Sequence, residues 1–169
     1  MSGVVPWSTS AALEIISAEL ASARAFYGDD GVGATAMLPI LHGLQRTFGY
    51  VPSDAVPLMA ASLNVSKADV RGVISFYHDF LHEAPGRHVV KLCRAEACQA
   101  NGSERIAAHL AAHHALHPGT TTGHVTLQNV YCLGNCALGP AALVDDDLLA
   151  GLDERAADLL VARLQQAPK

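Results

Sequence analysis

The stretches His88-Val-Val-Lys-Leu-Cys93 and Val125-Thr-Leu-Gln-Asn-Val-Tyr-Cys132 decide the fold of the second half of this chain. Short apolar or alternating runs bounded by turn residues are typical of β-strands. Each run ends at a cysteine, and residues 101–114 between the two runs are predicted to be helical. A strand, a helix and a second strand in this order indicate an α/β layer fold.

The C-terminal part of the chain extends this pattern. Two short apolar runs, residues 141–144 and 148–149, flank three aspartates and predict a β-hairpin. Asp153 is then expected to cap a last helix that runs to about Gln165. The leucines expected to face inward on this helix are Leu159, Leu160 and Leu164. The predicted order of the second half is therefore β-α-β-β-α.

The first half of the chain is predicted to be helical. Apolar residues recur at spacings of three and four between Ser10 and Tyr27, with Leu13 on the expected inner face. Gly31–Ala36 is predicted to be a loop. The other predicted helices cover residues 37–48, residues 52–62 and a segment that a capping box of Ser66 and Asp69 opens.

The change from helical to mixed patterns falls near residue 85. We therefore expect two subdomains: residues 1–85 form an N-terminal helical bundle, and residues 86–169 form the domain that carries all the cysteines. The overall fold class is predicted as α/β (α+β).

The composition argues against several classes of function. Hydrophobic residues make up 50% of the chain and the formal net charge is -5, with few and scattered basic residues, so nucleic-acid binding is not expected. The first 20 residues lack a basic start and contain Glu14 and Glu19, so neither a signal peptide nor a membrane span is predicted. A cytoplasmic location is the expectation.

The four cysteines form two close pairs, Cys93-x4-Cys98 and Cys132-x3-Cys136. In a reducing cytoplasm such pairs are typical of metal ligands or redox thiols. Four thiolates suit a [2Fe-2S] cluster, because each iron then receives two protein ligands. Small residues around the cysteines favour N–H donation to sulfur, and Lys91 and Arg94 are expected to make the local potential more positive.

Two other chemistries remain open from the residue types alone. Structural zinc also uses four cysteines, although zinc sites usually contain a tighter C-x2-C spacing. A thiol oxidoreductase normally carries C-x-x-C, which this chain lacks. His109, His113 and His117 recur every four residues, and we interpret them as a solvated helix face because no further ligand joins them at that spacing. No catalytic residue is predicted.

The residues around the cysteines then add a family resemblance. The chain resembles the thioredoxin-like [2Fe-2S] ferredoxin subunits of NADH-linked oxidoreductases, which include the small peripheral-arm subunit of respiratory complex I. The resemblance implies that Cys93, Cys98, Cys132 and Cys136 ligate one cluster. It also implies a thioredoxin-like second half and a helical extension before it. The motifs that carry it are Phe48-Gly-Tyr-Val-Pro52, Val73-Ile-Ser-Phe-Tyr77, Pro85-Gly-Arg-His88 and Cys132-Leu-Gly-Asn-Cys136-Ala-Leu-Gly-Pro140.

Within this family, Phe76-Tyr-His-Asp-Phe80 and Cys93-Arg-Ala-Glu-Ala-Cys98-Gln99 look most like the gamma subunit of soluble NAD-dependent molybdenum formate dehydrogenases. That resemblance implies a flavoprotein partner of beta type that binds FMN and NAD. It also implies a catalytic partner of alpha type with the molybdenum cofactor and further Fe-S clusters. The equivalent subunits of complex I and of NAD-reducing hydrogenase are the alternatives, and a zinc-stabilised interaction module is the alternative of another class.

Overall fold

The chain folds into two units, the first ending at Ala84 and the second starting at Pro85. The computed structural model describes residues 5–28 and 32–166. Each unit has its own large cluster of buried apolar side chains. In these described ranges, none of the helices combines the length and the apolar character that crossing a bilayer requires.

The first unit is helical, as predicted. The helices expected from the apolar spacing are present within two or three residues of their predicted ends, but the predicted loop before Met37 contains a helical turn. Gly33 in that turn lies so close to Leu63 that an added Cβ would stand 2.4 Å from the Leu63 carbonyl oxygen. The helices are α1 (Thr9–Tyr27), α2 (Val32–Thr35), α3 (Met37–Phe48), α4 (Ala55–Leu63) and α5 (Lys67–Phe76).

Local capping explains where these helices begin and end. The Ser8 hydroxyl accepts the Ala11 N–H at the start of α1. Gly49 ends α3 with φ of 81°, a left-handed conformation that glycine adopts without steric cost. Ser66 and Asp69 form the predicted capping box, in which each side chain accepts the backbone N–H of the other residue.

The core of the first unit lies between α1, α3 and α4. Ile16, Leu44 and Phe48 are each at most 1% exposed there. Leu13, by contrast, is 42% exposed, so its predicted inward position is wrong. The stripe that α1 buries is Ala12, Ile16 and Ala23, and Leu13 lies one residue, or about 100°, away from its edge.

The second unit contains a five-stranded sheet with the order β2-β3-β1-β4-β5. β1 and β3 are parallel, and every other neighbouring pair is antiparallel. The predicted strands and hairpin are confirmed, whereas the short edge strand β2 was not predicted. The strands are β1 (His88–Cys93), β2 (Thr120–Thr122), β3 (Val125–Val130), β4 (Ala142–Val144) and β5 (Asp147–Leu149).

Two long helices of this unit, α7 (Ser103–His114) and α8 (Glu154–Gln166), pack against each other, and they contact β1 and β3 respectively. Asp153 caps α8 as predicted, because its carboxylate accepts the Ala156 N–H at 2.7 Å. Leu160 and Leu164 are buried, but Leu159 is 64% exposed and its predicted inward position is wrong. A short helix α6 (Glu96–Ala100), which the sequence did not predict, precedes α7.

The lone tryptophan gives a direct test of the first core. Trp7 packs edge-on against Phe48 with ring centroids 5.1 Å apart, so its fluorescence reports unfolding of this unit. We expect Leu44→Ala to lower the free energy of unfolding by about 2–5 kcal/mol, because it leaves a cavity at a fully buried site. Urea titrations followed by Trp7 fluorescence measure this change.

The matched control is Leu13→Ala, the same substitution at a side chain that is 42% exposed. Its cost should stay below about 1 kcal/mol. Equal losses in the two variants would contradict the assignment of Leu44 to the core.

Candidate metal centre

The two cysteine loops leave the sheet at the same edge. The parallel register pairs His88 with Val125 and Cys93 with Val130, so both strands end together. The first residue after β1, Arg94, donates its N–H to the Val130 carbonyl at 2.8 Å. The expectation that both pairs begin at strand ends is confirmed, and the register explains why the loops face each other.

The sulfur atoms form two pairs and not one compact group of four. Cys132 Sγ and Cys136 Sγ are 3.8 Å apart, and the Cys93 and Cys98 thiols also interact directly. Electrostatic interactions link Cys136 to both Cys93 and Cys98. However, no three of these four sulfurs, all of them within the described residues, lie within 4.8 Å of one another.

This arrangement distinguishes between metals. A tetrahedral ion with metal–sulfur bonds of about 2.3 Å holds its sulfur ligands about 3.8 Å apart, which is the separation in the Cys132–Cys136 pair. A single zinc ion requires all four sulfurs at such distances from one another. Two separate pairs instead suit two metal ions, each with two protein thiolates and two bridging sulfides. The donor set therefore fits a [2Fe-2S] cluster.

Backbone N–H groups from both loops converge on Cys93. The side chain is 1% exposed, and this burial opposes ionisation. Hydrogen bonds from the Ala95, Cys132 and Leu133 N–H groups, together with the Cys98 thiol, outweigh burial and lower the pKa of Cys93. The predicted N–H donation to sulfur is thus present, and two of its donors belong to the opposite loop.

Two other thiols have raised pKa values. Burial is the main cause of the raised pKa of Cys98, with Cys93 adding to it and the Ala141 N–H acting against it. Contact with Cys132 raises the pKa of Cys136. Thiols crowded together resist becoming thiolates together, and a bound metal ion removes this resistance by pairing with the negative charge.

Arg94 does not direct its charge at the sulfurs alone, as the sequence had suggested. Its Nε donates to Glu104 Oε1 at 2.6 Å, and its Nη2 contacts the other carboxylate oxygen. This two-point pairing ties the first cysteine loop to the start of α7. Gln99 supports the same loop by donating its side-chain N–H to the Arg94 carbonyl at 2.7 Å.

The two pairs differ sharply in exposure. Cys93 and Cys98 are buried, whereas Cys132 and Cys136 are exposed. Tyr131 and Leu138, on either side of the exposed pair in sequence, are 71% and 62% exposed. One side of the centre is therefore enclosed by the fold, and the other is open and flanked by large apolar side chains.

A known protein family matches most of the chain, including both cysteine loops. The family described as thioredoxin-like [2Fe-2S] ferredoxin matches residues 24–165. The chain belongs to this family. Its cofactor is therefore a [2Fe-2S] cluster, and the thioredoxin-like fold that the resemblance implied is confirmed.

Relatives of this ferredoxin include components of NADH-quinone oxidoreductases. The E subunit of that enzyme from Escherichia coli (strain K12) is 36% identical over 130 residues, covering 76% of this chain and 78% of the relative. One of the E subunits from Rhizobium meliloti (strain 1021), which carries the number 2 in its name, is 32% identical over 153 residues. That match covers 89% of each chain.

A solved structure has a similar fold. The NAD+-reducing [NiFe]-hydrogenase in its H2-reduced state matches with a TM-score of 0.62 and 24% identity. The match covers 78% of this ferredoxin but only 22% of the hydrogenase chain. At this identity the likeness concerns the fold alone.

The packing of Gly139 against Cys98 generates a prediction. A Cβ at position 139 would lie 3.1 Å from Cys98 Sγ, so Gly139→Ala should push that sulfur aside by a few tenths of an ångström. Groups that orient metal ligands typically change metal affinity by about 10- to 100-fold. We expect cluster loss, followed by visible absorbance, to become about ten-fold faster.

Gly72→Ala provides the matched control, because a Cβ there meets no atom within 4 Å. It should leave the rate of cluster loss unchanged. If Gly139→Ala also keeps the parental rate, close packing at Cys98 is not what holds that sulfur in place.

Proposed function

We propose that Cys93 and Cys98 bind one iron of the [2Fe-2S] cluster and that Cys132 and Cys136 bind the other. The observation that supports this assignment is the division of the four sulfurs into two pairs on facing loops. The cluster supplies transfer of one electron at a time. The residues of this chain hold it, shield one side and leave the other side accessible.

The side chains and backbone around the sulfurs set the environment of the bound group. The N–H groups that point at Cys93 stabilise negative charge on its sulfur, and Ala141 donates similarly to Cys98. Burial of this pair in an apolar setting has the opposite effect, because it disfavours charge. The balance of these two effects is the contribution of the chain to the reduction potential.

The exposed pair is the proposed route for electrons. Cys132 and Cys136 lie at the surface, so a partner that covers Tyr131 and Leu138 would approach the centre closely. We propose that this partner is a flavoprotein subunit that binds FMN and NAD. Support comes from the relatives, which are named as subunits of NADH-quinone oxidoreductases.

For the parent complex, we propose a cytoplasmic NAD-dependent formate dehydrogenase. The support is the sequence of Phe76-Tyr-His-Asp-Phe80 and of the first cysteine loop, which resemble the gamma subunit of those enzymes. In that complex, formate oxidation takes place in a molybdenum-containing alpha subunit, and this chain transfers electrons without binding substrate. NADH-quinone oxidoreductase is the second candidate, favoured by 36% identity to the relative from Escherichia coli.

The ligand assignment is tested by Cys136→Ser. The wild-type protein, purified without oxygen, should contain two iron atoms per chain and give an EPR signal after reduction by one electron. Cys136→Ser should lose the cluster or shift its EPR spectrum, because a hydroxyl is a weaker ligand for iron than a thiolate.

The control is Ala137→Ser, which adds a hydroxyl at the next, exposed position of the same short helix, Cys136–Leu138. It should retain the wild-type iron content and spectrum. An unchanged spectrum in Cys136→Ser would refute the assignment of this ligand, and one zinc per chain in place of iron would refute the cluster.

The parent complex is tested by purifying the native assembly through a tag on this chain. A formate dehydrogenase should contain molybdenum and FMN in equal amounts and reduce NAD with formate. Nickel without molybdenum would indicate a hydrogenase. A membrane-bound assembly that has neither metal and reduces quinone with NADH would indicate complex I, and either result overturns the proposed parent.

A further inference from the structure

A second group of potential metal ligands lies away from the cysteines in sequence, where α7 packs against α8. His109 Nε2 and His114 Nε2 lie 2.6 and 2.7 Å from the same carboxylate oxygen, Asp158 Oδ1. Within residues 5–28 and 32–166, this is the only set of three His, Cys, Asp or Glu ligand atoms within 4.8 Å of one another. Three ligand atoms from two helices thus converge on one point.

The sequence did not identify this group. Its histidine spacing placed His109, His113 and His117 on one helix face, but α7 ends at His114 and Ala115 follows with φ of 52°. The chain turns there, so His117 lies beyond the helix. The carboxylate comes from α8, more than 40 residues later in the chain, and no local spacing reveals such a pairing.

We propose that His109, His114 and Asp158 form a second metal site that binds a divalent transition ion, with zinc as the ion of choice. Two imidazole nitrogens and one carboxylate oxygen are a common zinc ligand set. In the absence of metal, each imidazole contact with Oδ1 requires a proton on Nε2. A metal ion takes the place of those protons between the same ligand atoms.

The geometry requires little adjustment to hold an ion. Zinc bonds of about 2.0–2.1 Å in a tetrahedron separate neighbouring ligand atoms by about 3.3 Å. The carboxylate oxygen therefore needs to move away from each nitrogen by less than about 1 Å. Asp158 is 48% exposed, which allows this shift and leaves water access to a fourth coordination position.

Electrostatics at the site also favour a cation. Hydrogen bonds from His114 and then His109 lower the pKa of Asp158, so the carboxylate stays anionic. His114 is the last residue of α7, where the helix dipole presents its negative end. The His113 ring lies 4.4 Å from the His109 ring and restricts its orientation.

A metal ion at this site would join the two helices that pack on the sheet. α7 contacts β1, the strand that ends at Cys93, and α8 contacts β3, whose end precedes Cys132. Binding to the folded state alone raises its stability. The inferred role is therefore structural, and it does not depend on the proposed parent complex or electron partner.

The test uses the full chain with its iron-sulfur cluster in place and without a histidine tag. Equilibrium dialysis against zinc, followed by metal analysis, should give one zinc per chain in addition to the iron. Visible absorbance should stay constant, which shows that zinc has not replaced iron. His114→Ala and Asp158→Asn should each weaken zinc binding by at least about ten-fold.

The matched control is His117→Ala, which removes a histidine of the same segment outside the ligand group. It should bind zinc as the wild type does. Each variant is compared by circular dichroism and iron content, so that unfolding is not mistaken for lost binding. Zinc binding that is equal in all four proteins, or no additional zinc in the wild type, would overturn the proposal.

A second measurement is independent of the variants. In ¹⁵N NMR spectra of the wild-type imidazoles, zinc should shift the Nε2 resonances of His109 and His114 and leave those of His117 unchanged. Unchanged His109 and His114 resonances at saturating zinc would also overturn the proposal.

Discussion

Parallel pairing of β1 with β3 is the constraint on which the metal centre depends. The register that places Cys93 opposite Val130 brings two loops that are distant in sequence to one edge of the sheet. A shift by one residue would turn the side chains of a strand to the opposite face and separate Cys93 from its N–H donors. The apolar residues of both strands fix the register, because Val90, Leu92 and Leu127 are buried.

The loops then do what the strands cannot do. Strand ends bring the cysteines near each other, but the division into a buried pair and an exposed pair arises from α6 and from the short helix at Cys136–Leu138. The buried pair is enclosed by small residues, among them Ala141. A centre built in this way is rigid on its inner side and accessible on its outer side, as an electron carrier requires.

Local sequence patterns predicted the strands, the long helices and the caps, because each depends on neighbouring residues such as Ser66 and Asp69. They also predicted the cysteine centre, since both pairs are close in sequence. They failed where distant segments decide. The exposure of Leu159 depends on which side of α8 meets the sheet, the charge of Arg94 is paired with Glu104, and the contact of His114 with Asp158 joins two helices.

The donors around Cys93 have an evolutionary consequence. They are main-chain N–H groups of Ala95, Cys132 and Leu133, and every amino acid except proline carries such a group. The side chains at positions 95 and 133 are thus free to drift without removing a hydrogen bond from sulfur. The backbone path preserves the environment of the metal centre, and relatives with quite different loop sequences are able to retain the same chemistry.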